Sequence, residues 1–341
     1  MGIRRVIQAL ALCLTLFSAA HADDNAALIE RLHQAEASSS LDTAGLRQWH
    51  LKLDVQLFGE KDKKTEQGTI EEWWTSPTSF QVAYTFPSYT ATEIRSDKGL
   101  SRTKSSSSPP SLFKLLLSQV VHPMPSTEEM QDSSRDLRKE NFSKVALDCI
   151  MLDQKIKNIS HPPLGLFPTY CFDPSKISLR FSYDFGSQVI FRNAIGTFQN
   201  RNVATNLTVK ESDQIKATAH VSTLESNSSV VAPSIDPTLL TPIDKSATGV
   251  AAGVMAGHKL TGENPIYPVS ARRNHVSGTV IFVATIGTDG HIHSLRIAST
   301  PDPDLAIAAL VAVRTWTYTP YLINGEPIEV KTQITVNFKF G

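Results

Sequence analysis

Apolar and polar residues alternate regularly along residues 49–57. Trp49, Leu51, Leu53 and Val55 stand at every second position, and the residues between them are mostly polar. This period predicts a strand of an antiparallel sheet that has one face on a core and the other in water. The same pattern predicts further strands at 67–76, 78–86, 89–96, 143–152, 168–173, 177–184, 187–197 and 201–210.

Two stretches replace this alternation with helical spacing. Residues 26–37 predict a short helix, and residues 111–121 predict a compact apolar helix inside the β-rich region. Residues 226–262 then lose all periodicity and gain Ser, Pro, Gly and Ala, which is typical of a linker. We therefore expect a β-rich antiparallel domain at 23–225, ahead of that linker.

The C-terminal residues begin a second, mixed pattern. Residues 278–286 and 292–299 alternate as two strands. Asp289-Gly290 between them predicts a tight hairpin turn, because Asp tolerates positive φ and Gly favours it. This part of the chain therefore opens with two antiparallel strands.

A helix and a long strand complete that pattern. Asp302 or Asp304 is the expected N-cap of a helix whose apolar face recurs at helical spacing. Asn324-Gly325 predicts another turn, and the last strand alternates along 328–340. The resulting β-β-α-β order predicts a compact α+β module.

The first residues are typical of an export signal. A basic pair, Arg4-Arg5, precedes an apolar run at 6–20, and a small-residue ending follows at 20–22. These three features together predict a secretory signal peptide at 1–22. An uncleaved anchor at 6–20 is the alternative, since a membrane span needs about 20 apolar residues.

Composition and charge narrow the classes of function. The 341 residues include 33 basic and 33 acidic ones, and 41% are hydrophobic. That apolar share is enough for packed cores, and the absence of net positive charge argues against a nucleic-acid partner. Removal of 1–22 would leave 31 basic and 33 acidic groups, so the exported chain would be mildly acidic.

Two cysteines, Cys149 and Cys171, remain after that removal. In an exported protein such a pair favours a disulfide, which would close a loop of about 22 residues and stabilise the fold by roughly 3 kcal/mol. Two buried free thiols are the alternative interpretation. No Cys–His spacing typical of zinc accompanies them.

Motifs for catalysis or cofactors are not evident, so we expect neither an enzyme nor a bound cofactor. His291 and His293 share one face of a strand, but a third metal ligand is not evident, so no metal is expected. Glu71 and Glu72 could imitate a catalytic carboxylate pair. As neighbours on a strand they point to opposite faces, which excludes simple joint action.

The C-terminal pattern resembles the C-terminal domain of the TonB family over about 264–341. That family combines a tyrosine-proline pair, a glycine-x-valine strand, an aspartate-glycine turn, a helix with leucine and alanines, a tryptophan, a proline, an asparagine-glycine turn and a final alternating strand. The corresponding residues here are Tyr267, Pro268, Ala271, Gly278, Val280, Asp289, Gly290, Leu305, Ala309, Trp316, Pro320, Asn324 and Gly325.

The resemblance implies energy transduction in the periplasm. TonB-family proteins carry energy from an inner-membrane ExbB–ExbD motor to outer-membrane receptors, and they bind a receptor peptide that adds a strand to their sheet. The last strand would then present its backbone edge, with Val330, Thr332, Ile334 and Val336 as the expected partner-binding residues. Additional partner contacts would come from Tyr267, Pro268, Arg272 and Arg273.

A weaker resemblance concerns the first domain, at about 46–225. A many-stranded antiparallel sheet with an internal apolar helix is similar to the LolA/LolB-like half-barrel of periplasmic lipoprotein carriers. This implies an alternative function, a soluble carrier whose sheet holds a lipid or a lipoprotein. An ordinary filled core is the plainer interpretation. The expected organisation is a signal peptide at 1–22, then 23–225, the linker 226–262, and the TonB-like module at 263–341.

Overall fold

The computed structural model describes most of the chain. The described residues are 26–104, 108–125, 127, 130, 134–142, 145–153, 164–183, 188–211, 214–226, 231–243, 248–323 and 325–340. The predicted signal peptide or anchor at 1–22 lies outside these residues, and so does Asn324 of the predicted turn. Within these ranges, none of the helices combines the length and the apolar content of a membrane span.

A sheet of 13 antiparallel strands dominates the described part of the chain. Its strands are β1 (Trp49–Phe58), β2 (Lys64–Ser76), β3 (Ser79–Thr85), β4 (Thr90–Ser96), β5 (Gly99–Thr103), β6 (Ser134–Phe142), β7 (Val145–Asp153), β8 (Thr169–Asp173), β9 (Ser178–Tyr183), β10 (Gln188–Phe198), β11 (Arg201–Glu211), β12 (Gln214–Glu225) and β13 (Leu240–Ile243). Their order is β13-β5-β4-β3-β2-β1-β12-β11-β10-β9-β8-β7-β6, so β1 and β12 join two meanders.

The core of this sheet lies under helix α2 (Ser111–Val121), at the predicted position. Helix α1 comprises residues 26–39 and packs on the β7–β9 region. The apolar face of α2 and the alternating residues of β1 and β2 belong to one core cluster, in which the rings of Phe86 and Phe113 stack with centroids 4.0 Å apart. Burial of these alternate positions explains why the period-two pattern of β1 is so regular.

A disulfide joins β7 to β8. Cys149 lies directly opposite Cys171 in the strand register, and their sulfur atoms are bonded. Both residues are fully buried beside Leu147 and Phe181. The predicted disulfide is therefore present, and the alternative of two free thiols is excluded.

The C-terminal part of the chain forms a second sheet of four strands. These are β14 (Thr248–Gly249), β16 (Gly278–Ile286), β17 (Ile292–Ser299) and β21 (Val330–Phe338), in the order β14-β21-β16-β17. Two small antiparallel pairs flank it, β15 (Lys259–Thr261) with β18 (Thr317–Tyr318), and β19 (Tyr321–Ile323) with β20 (Glu326–Ile328). The helices of this part of the chain are α3 (Ala252–Ala256), α4 (Val269–Arg273) and α5 (Pro303–Val313).

Helix α5 begins and packs as its sequence predicts. The Asp302 carboxylate accepts hydrogen bonds from the backbone N–H groups of Asp304 and Leu305, at 2.9 and 3.2 Å. This N-cap satisfies two donors that the first helical turn leaves without partners. The Asp289-Gly290 turn between β16 and β17 also forms as predicted, and Gly290 has the positive φ, +79°, that glycine favours. A side chain there would collide with the Tyr318 carbonyl oxygen.

The predicted linker takes part in both sheets. β13 pairs with β5 of the large sheet, and β14 pairs with β21 of the small one. The two parts also touch elsewhere, since Met151 and Phe167 contribute to the C-terminal core and Arg314 donates to the Gly165 carbonyl oxygen at 3.0 Å. The division of the chain at 225 and 263 remains a prediction.

Replacing both cysteines by alanine should lower the free energy of unfolding by about 3 kcal/mol, because the closed loop restricts the unfolded chain. Urea denaturation of the wild type, the double variant and the reduced wild type measures this effect. The reduced wild type should match the variant. An unchanged urea midpoint in both would contradict a stabilising role of the disulfide.

Candidate functional site

Strand β21 is fully paired along only one of its two edges. On its inner side it pairs with β16 in unbroken antiparallel register, from Gly278 opposite Phe338 to Ile286 opposite Val330. On its outer side β14 runs parallel to it and reaches only Val330 and Lys331. Beyond Lys331, no described strand pairs with the outer edge.

The register defines which backbone groups face outward. The Val250 N–H donates to the Lys331 carbonyl oxygen at 2.9 Å, so Lys331 points its backbone groups to the outer side. N–H and C=O groups alternate between the two sides of a regular strand, and the register has no bulge here. The next outward groups therefore belong to Gln333, Thr335 and Asn337.

The partner-binding residues predicted from the sequence alternate along β21 with the residues whose backbone groups face outward. Val330, Thr332, Ile334 and Val336 have buried side chains that belong to the core face, and their backbone groups face β16. The neighbours that were not predicted, Gln333, Thr335 and Asn337, have exposed side chains as well as outward backbone groups. The alternation along β21 separates these two sets of residues. The sequence does not show on which side β16 pairs, so it does not show which set has outward backbone groups.

A short segment already flanks the start of this edge. The covering segment, residues 248–256, comprises β14 and helix α3, and α3 contacts β21. Met255 of this helix is buried in the C-terminal core. The helix provides no backbone pairing to β21 among the described contacts.

The other predicted site residues gather at the Phe338 end of β21. The Tyr267 ring meets the Phe338 ring edge-on at 5.5 Å, and its hydroxyl donates to the Val276 carbonyl oxygen. The Arg272 guanidinium lies 5.8 Å from the centre of the Tyr267 ring. Pro268 is the N-cap residue of α4.

Exposed apolar and basic groups surround that tyrosine. Ile266 and Val269 are 82% and 63% exposed, and Arg273 also faces solvent. An apolar surface with cationic groups beside a free strand edge suits an extended peptide with an acidic flank. The structure thus brings Tyr267, Pro268 and Arg272 together at one end of the edge.

A hydrogen-bonded cluster joins this module to helix α2. Ser111 donates to the Asp289 carboxylate, whose other oxygen lies 3.2 Å from His293 Nε2. The Glu329 carboxylate lies 3.9 Å from His293 Nδ1. Among the described residues, no group of three metal-ligating side chains forms a metal site, at His291 and His293 or elsewhere.

This cluster shifts two pKa values in opposite directions. Burial disfavours the charged form of Asp289, but hydrogen bonds from His293, Ser111 and the His291 backbone outweigh it and hold the pKa of Asp289 well below normal. Burial also disfavours charged His293, but the hydrogen bond and the negative charge of Asp289 outweigh it and raise the pKa of His293. The pair is therefore strongest where His293 is protonated.

A cavity of about 1000 Å³ adjoins the cluster. Strands β2 to β5, helix α2 and β13 supply most of its wall. The C-terminal part closes one side with Thr288, His293, Ile323, Ile328 and Glu329. Both parts of the chain therefore shape this space.

Stability should depend on pH through the Asp289–His293 pair. Because the folded-state pKa of His293 is raised, its contribution is complete below about pH 6.5 and is lost as the pH rises through that higher value. Asp289→Asn should lower the free energy of unfolding more at pH 5.5 than at pH 8, by less than about 1 kcal/mol because the histidine is partly exposed. Thermal denaturation at the two pH values measures this difference. His293→Gln is the control and should remove this pH dependence. An equal loss at both pH values would contradict the pairing.

Comparisons with known sequences concern the C-terminal module. The protein TonB of Vibrio cholerae serotype O1 is 29% identical over 76 residues, which are 22% of this chain and 31% of that protein. The protein TonB of Xanthomonas campestris pv. campestris is 31% identical over 75 residues, 22% of this chain and 34% of its own length. The chain thus spans about a third of the length of these relatives.

A comparison with solved structures concerns the β-rich part of the chain that precedes the C-terminal module. A LolA superfamily protein, NE2245 from Nitrosomonas europaea, is 9% identical with a TM-score of 0.39, over 57% of this chain and 93% of its own. A putative outer membrane lipoprotein-sorting protein domain from Vibrio parahaemolyticus is 10% identical with a TM-score of 0.38, over 60% and 93%. Likenesses at this level carry no argument about what this chain binds.

The family comparison agrees with the resemblance that the sequence suggested. The matching family is described as "Gram-negative bacterial TonB protein C-terminal", and its model matches residues 263–340. This range contains β16, β17, α5 and β21, and with them the free strand edge. Residues 263–340 therefore match a TonB C-terminal family model, and the large antiparallel sheet lies mainly in the part of the chain before them.

Proposed function

We propose that this protein is a periplasmic, TonB-like energy transducer that binds a receptor peptide by strand addition to β21. The observation that supports it best is the row of outward backbone groups at Gln333, Thr335 and Asn337, which no described strand pairs. An extended peptide can pair with such a row, as in other cases of β-augmentation.

The direction of the added strand follows from the covering segment. β14 already lies against the outer side of β21 in parallel orientation. A peptide that continued this parallel alignment would extend from Lys331 towards Phe338. Its far end would then reach Tyr267 and Arg272, which contribute an aromatic surface and a cation.

The partners follow from the family and remain part of the proposal. TonB-family proteins are periplasmic, anchored in the inner membrane, and act with outer-membrane receptors and the ExbB–ExbD motor. Direct coupling of this chain to such a motor requires an anchor at 6–20. A cleaved signal peptide at 1–22 would instead release the chain, and the N-terminal residue of the exported protein distinguishes the two.

Thr335→Pro should abolish the outward N–H in the middle of the free row, because proline has no backbone donor. The inner ladder to β16 keeps its hydrogen bonds, since the N–H of residue 335 faces away from it. The probe is a synthetic TonB-box peptide, the short receptor segment that TonB-family proteins bind. We expect its affinity to weaken about tenfold, which corresponds to the loss of one or two hydrogen bonds. Isothermal titration calorimetry on the full chain measures this.

Thr335→Val is the matched control for that experiment. It removes the hydroxyl but keeps the N–H, so it should bind the peptide as the wild type does. Equal thermal midpoints of the two variants show that the fold is intact. Equal peptide affinities of the two folded variants would contradict strand addition at β21.

The covering segment should compete with the peptide. Val250→Pro removes the N–H that donates to Lys331, and this should loosen the segment and expose more of the edge. Peptide affinity should rise about two- to fivefold. Val250→Ala removes both methyl groups of the side chain but keeps the N–H donor, so its affinity should stay at the wild-type value. An affinity in the proline variant at or below that of the alanine variant would exclude competition.

A second candidate function is supported by the cavity. Its volume of about 1000 Å³ suits a small molecule or part of an acyl chain, so the large sheet would act as a half-barrel carrier for a lipid or a lipoprotein. Native mass spectrometry of the purified full chain tests this by detecting co-purified ligand. A chain that neither retains nor takes up any amphiphile would exclude the carrier.

A further inference from the structure

One row of directly opposed residues crosses four strands on the cavity side of the large sheet. Glu72 of β2 lies opposite Val82 of β3, Val82 lies opposite Glu93 of β4, and Glu93 lies opposite Arg102 of β5. All four residues line the cavity. Three ionisable side chains therefore share one interior row, which is uncommon in the core of a sheet.

Two of these three side chains compensate each other. The Arg102 guanidinium donates to one carboxylate oxygen of Glu93 through Nε and Nη2, at 3.0 and 2.9 Å. Such a pair satisfies both charges without a ligand. Glu93 and Arg102 therefore leave no net charge for an occupant of the cavity.

Glu72 has no such compensation. It is 4% exposed, and none of the hydrogen bonds or ion pairs among the described residues involves its carboxyl group. The indole nitrogen of Trp74, two residues along β2 and 2% exposed, also has no hydrogen-bond partner in the described part of the chain. A buried polar atom without a partner costs about 1–3 kcal/mol, so the Trp74 nitrogen, beside an uncompensated carboxyl group on the same cavity wall, points to a ligand.

The electrical surroundings of Glu72 favour a cation. Burial, and then the charge of Asp42, raises the pKa of Glu72 to about 8. The titratable and charged groups on the remaining cavity wall are Tyr84, Lys104, Lys114, His122, His293 and Glu329. Lys104 and Lys114 are exposed, and Asp42 lies 3.1 Å from His122. The part of the cavity around Glu72 therefore has a buried carboxyl group. Among the described residues there, the one basic group is Arg102, whose guanidinium is paired with Glu93.

The type of side chain narrows the ligand further. To bind an uncharged ligand, the side chain at position 72 needs only a hydrogen-bond donor or acceptor, and an amide side chain there would provide both. A carboxyl group differs from an amide because it can ionise and hold a cation. The aromatic rings of Trp74 and Tyr84 beside it also favour a cation over an anion.

We propose that this cavity binds an amphipathic organic cation, with its ammonium group on Glu72 and its apolar body along α2 and the β19–β20 hairpin. Leu117 and Val121 of α2 and Ile323 and Ile328 of the hairpin provide the apolar contacts. The inference rests on the second candidate function, the carrier, and names its ligand class. It does not depend on strand addition at β21.

Proton linkage distinguishes a cation from other ligands. Glu72 is mainly protonated at pH 7 in the free protein, because its pKa is about 8. A bound ammonium group requires the carboxylate, so binding should release about one proton, and affinity should increase as the pH rises from 6 to 8. An uncharged ligand should release none.

Three probes with one apolar chain and different head groups test the proposal: decylamine, decanol and decanoate. Each is titrated into the full chain below its aggregation concentration, in two buffers that differ in ionisation enthalpy, so that released protons are counted. We expect decylamine to bind at least tenfold more tightly than decanol and to release about one proton, and decanoate to bind most weakly.

Glu72→Gln and Glu71→Gln form a matched pair of variants. They remove the same charge from neighbouring residues, but Glu71 lies on the other face of β2, paired with Lys52 at 3.1 Å. Glu72→Gln should reduce decylamine affinity at least tenfold and abolish proton release. Glu71→Gln should change neither. If Glu72→Gln does not fold, the proton count and the head-group series in the wild type still decide.

The outcomes separate the ligand class from the carrier function. Decylamine binding no tighter than decanol, without proton release, would overturn the cation proposal and leave the carrier standing. Binding of decylamine that survives unchanged in Glu72→Gln would also overturn it. If none of the three probes binds, the cation proposal and the carrier function both fall, while strand addition keeps its own test.

Discussion

A β-strand has two rows of backbone hydrogen-bonding groups, and β21 fills only one of them completely. Its inner row pairs with β16 along nine residues, and its alternate side chains are buried in the C-terminal core. These contacts hold the strand in place, so the outer row stays ordered without a partner. An incoming peptide then loses its own conformational freedom but orders nothing in the protein, which favours binding. The rest of the module can be understood as support for this edge, including the Asp302 cap of α5 and the turn at Gly290.

Local patterns predicted the elements that depend on local chemistry. Helix α2 lies where its apolar spacing placed it, and β1 follows its alternation. Strands β5, β6 and β12 were not predicted, and β13 and β14 lie in the predicted linker. β6 is largely charged, and β12 has small residues at its buried positions, so neither shows strong alternation. β13 and β14 are short, and they exist because distant strands offer them an edge, which is a non-local property that no window of sequence contains.

The candidate sites show the same limit at the level of single residues. Alternation indicated that Glu71 and Glu72 point to opposite faces, and the structure agrees, since Glu71 pairs with Lys52 while Glu72 lines the cavity. It did not indicate which face is buried, or that Glu93 on β4 and Arg102 on β5 would neutralise each other. The outward row of β21 was likewise one residue out of step with the expected one. Both of these features require the pairing register, because the register determines which neighbours compensate a charge and which side of a strand is open.

The two proposed sites meet at one short segment. Ile328 and Glu329 line the cavity, and the next two residues, Val330 and Lys331, carry the pairing with β14. Glu329 also lies near His293, whose partner Asp289 accepts a hydrogen bond from Ser111 at the start of α2. A ligand that contacts Ile328 therefore contacts the same stretch of backbone that the covering segment uses at the edge. Any influence of cavity binding on peptide binding must be matched by an equal influence in the other direction, because coupling between two binding sites is reciprocal. Such coupling requires that residues 328–331 have two arrangements. Val250 and α3 hold the covering segment to β21, and release of this segment would provide the second arrangement.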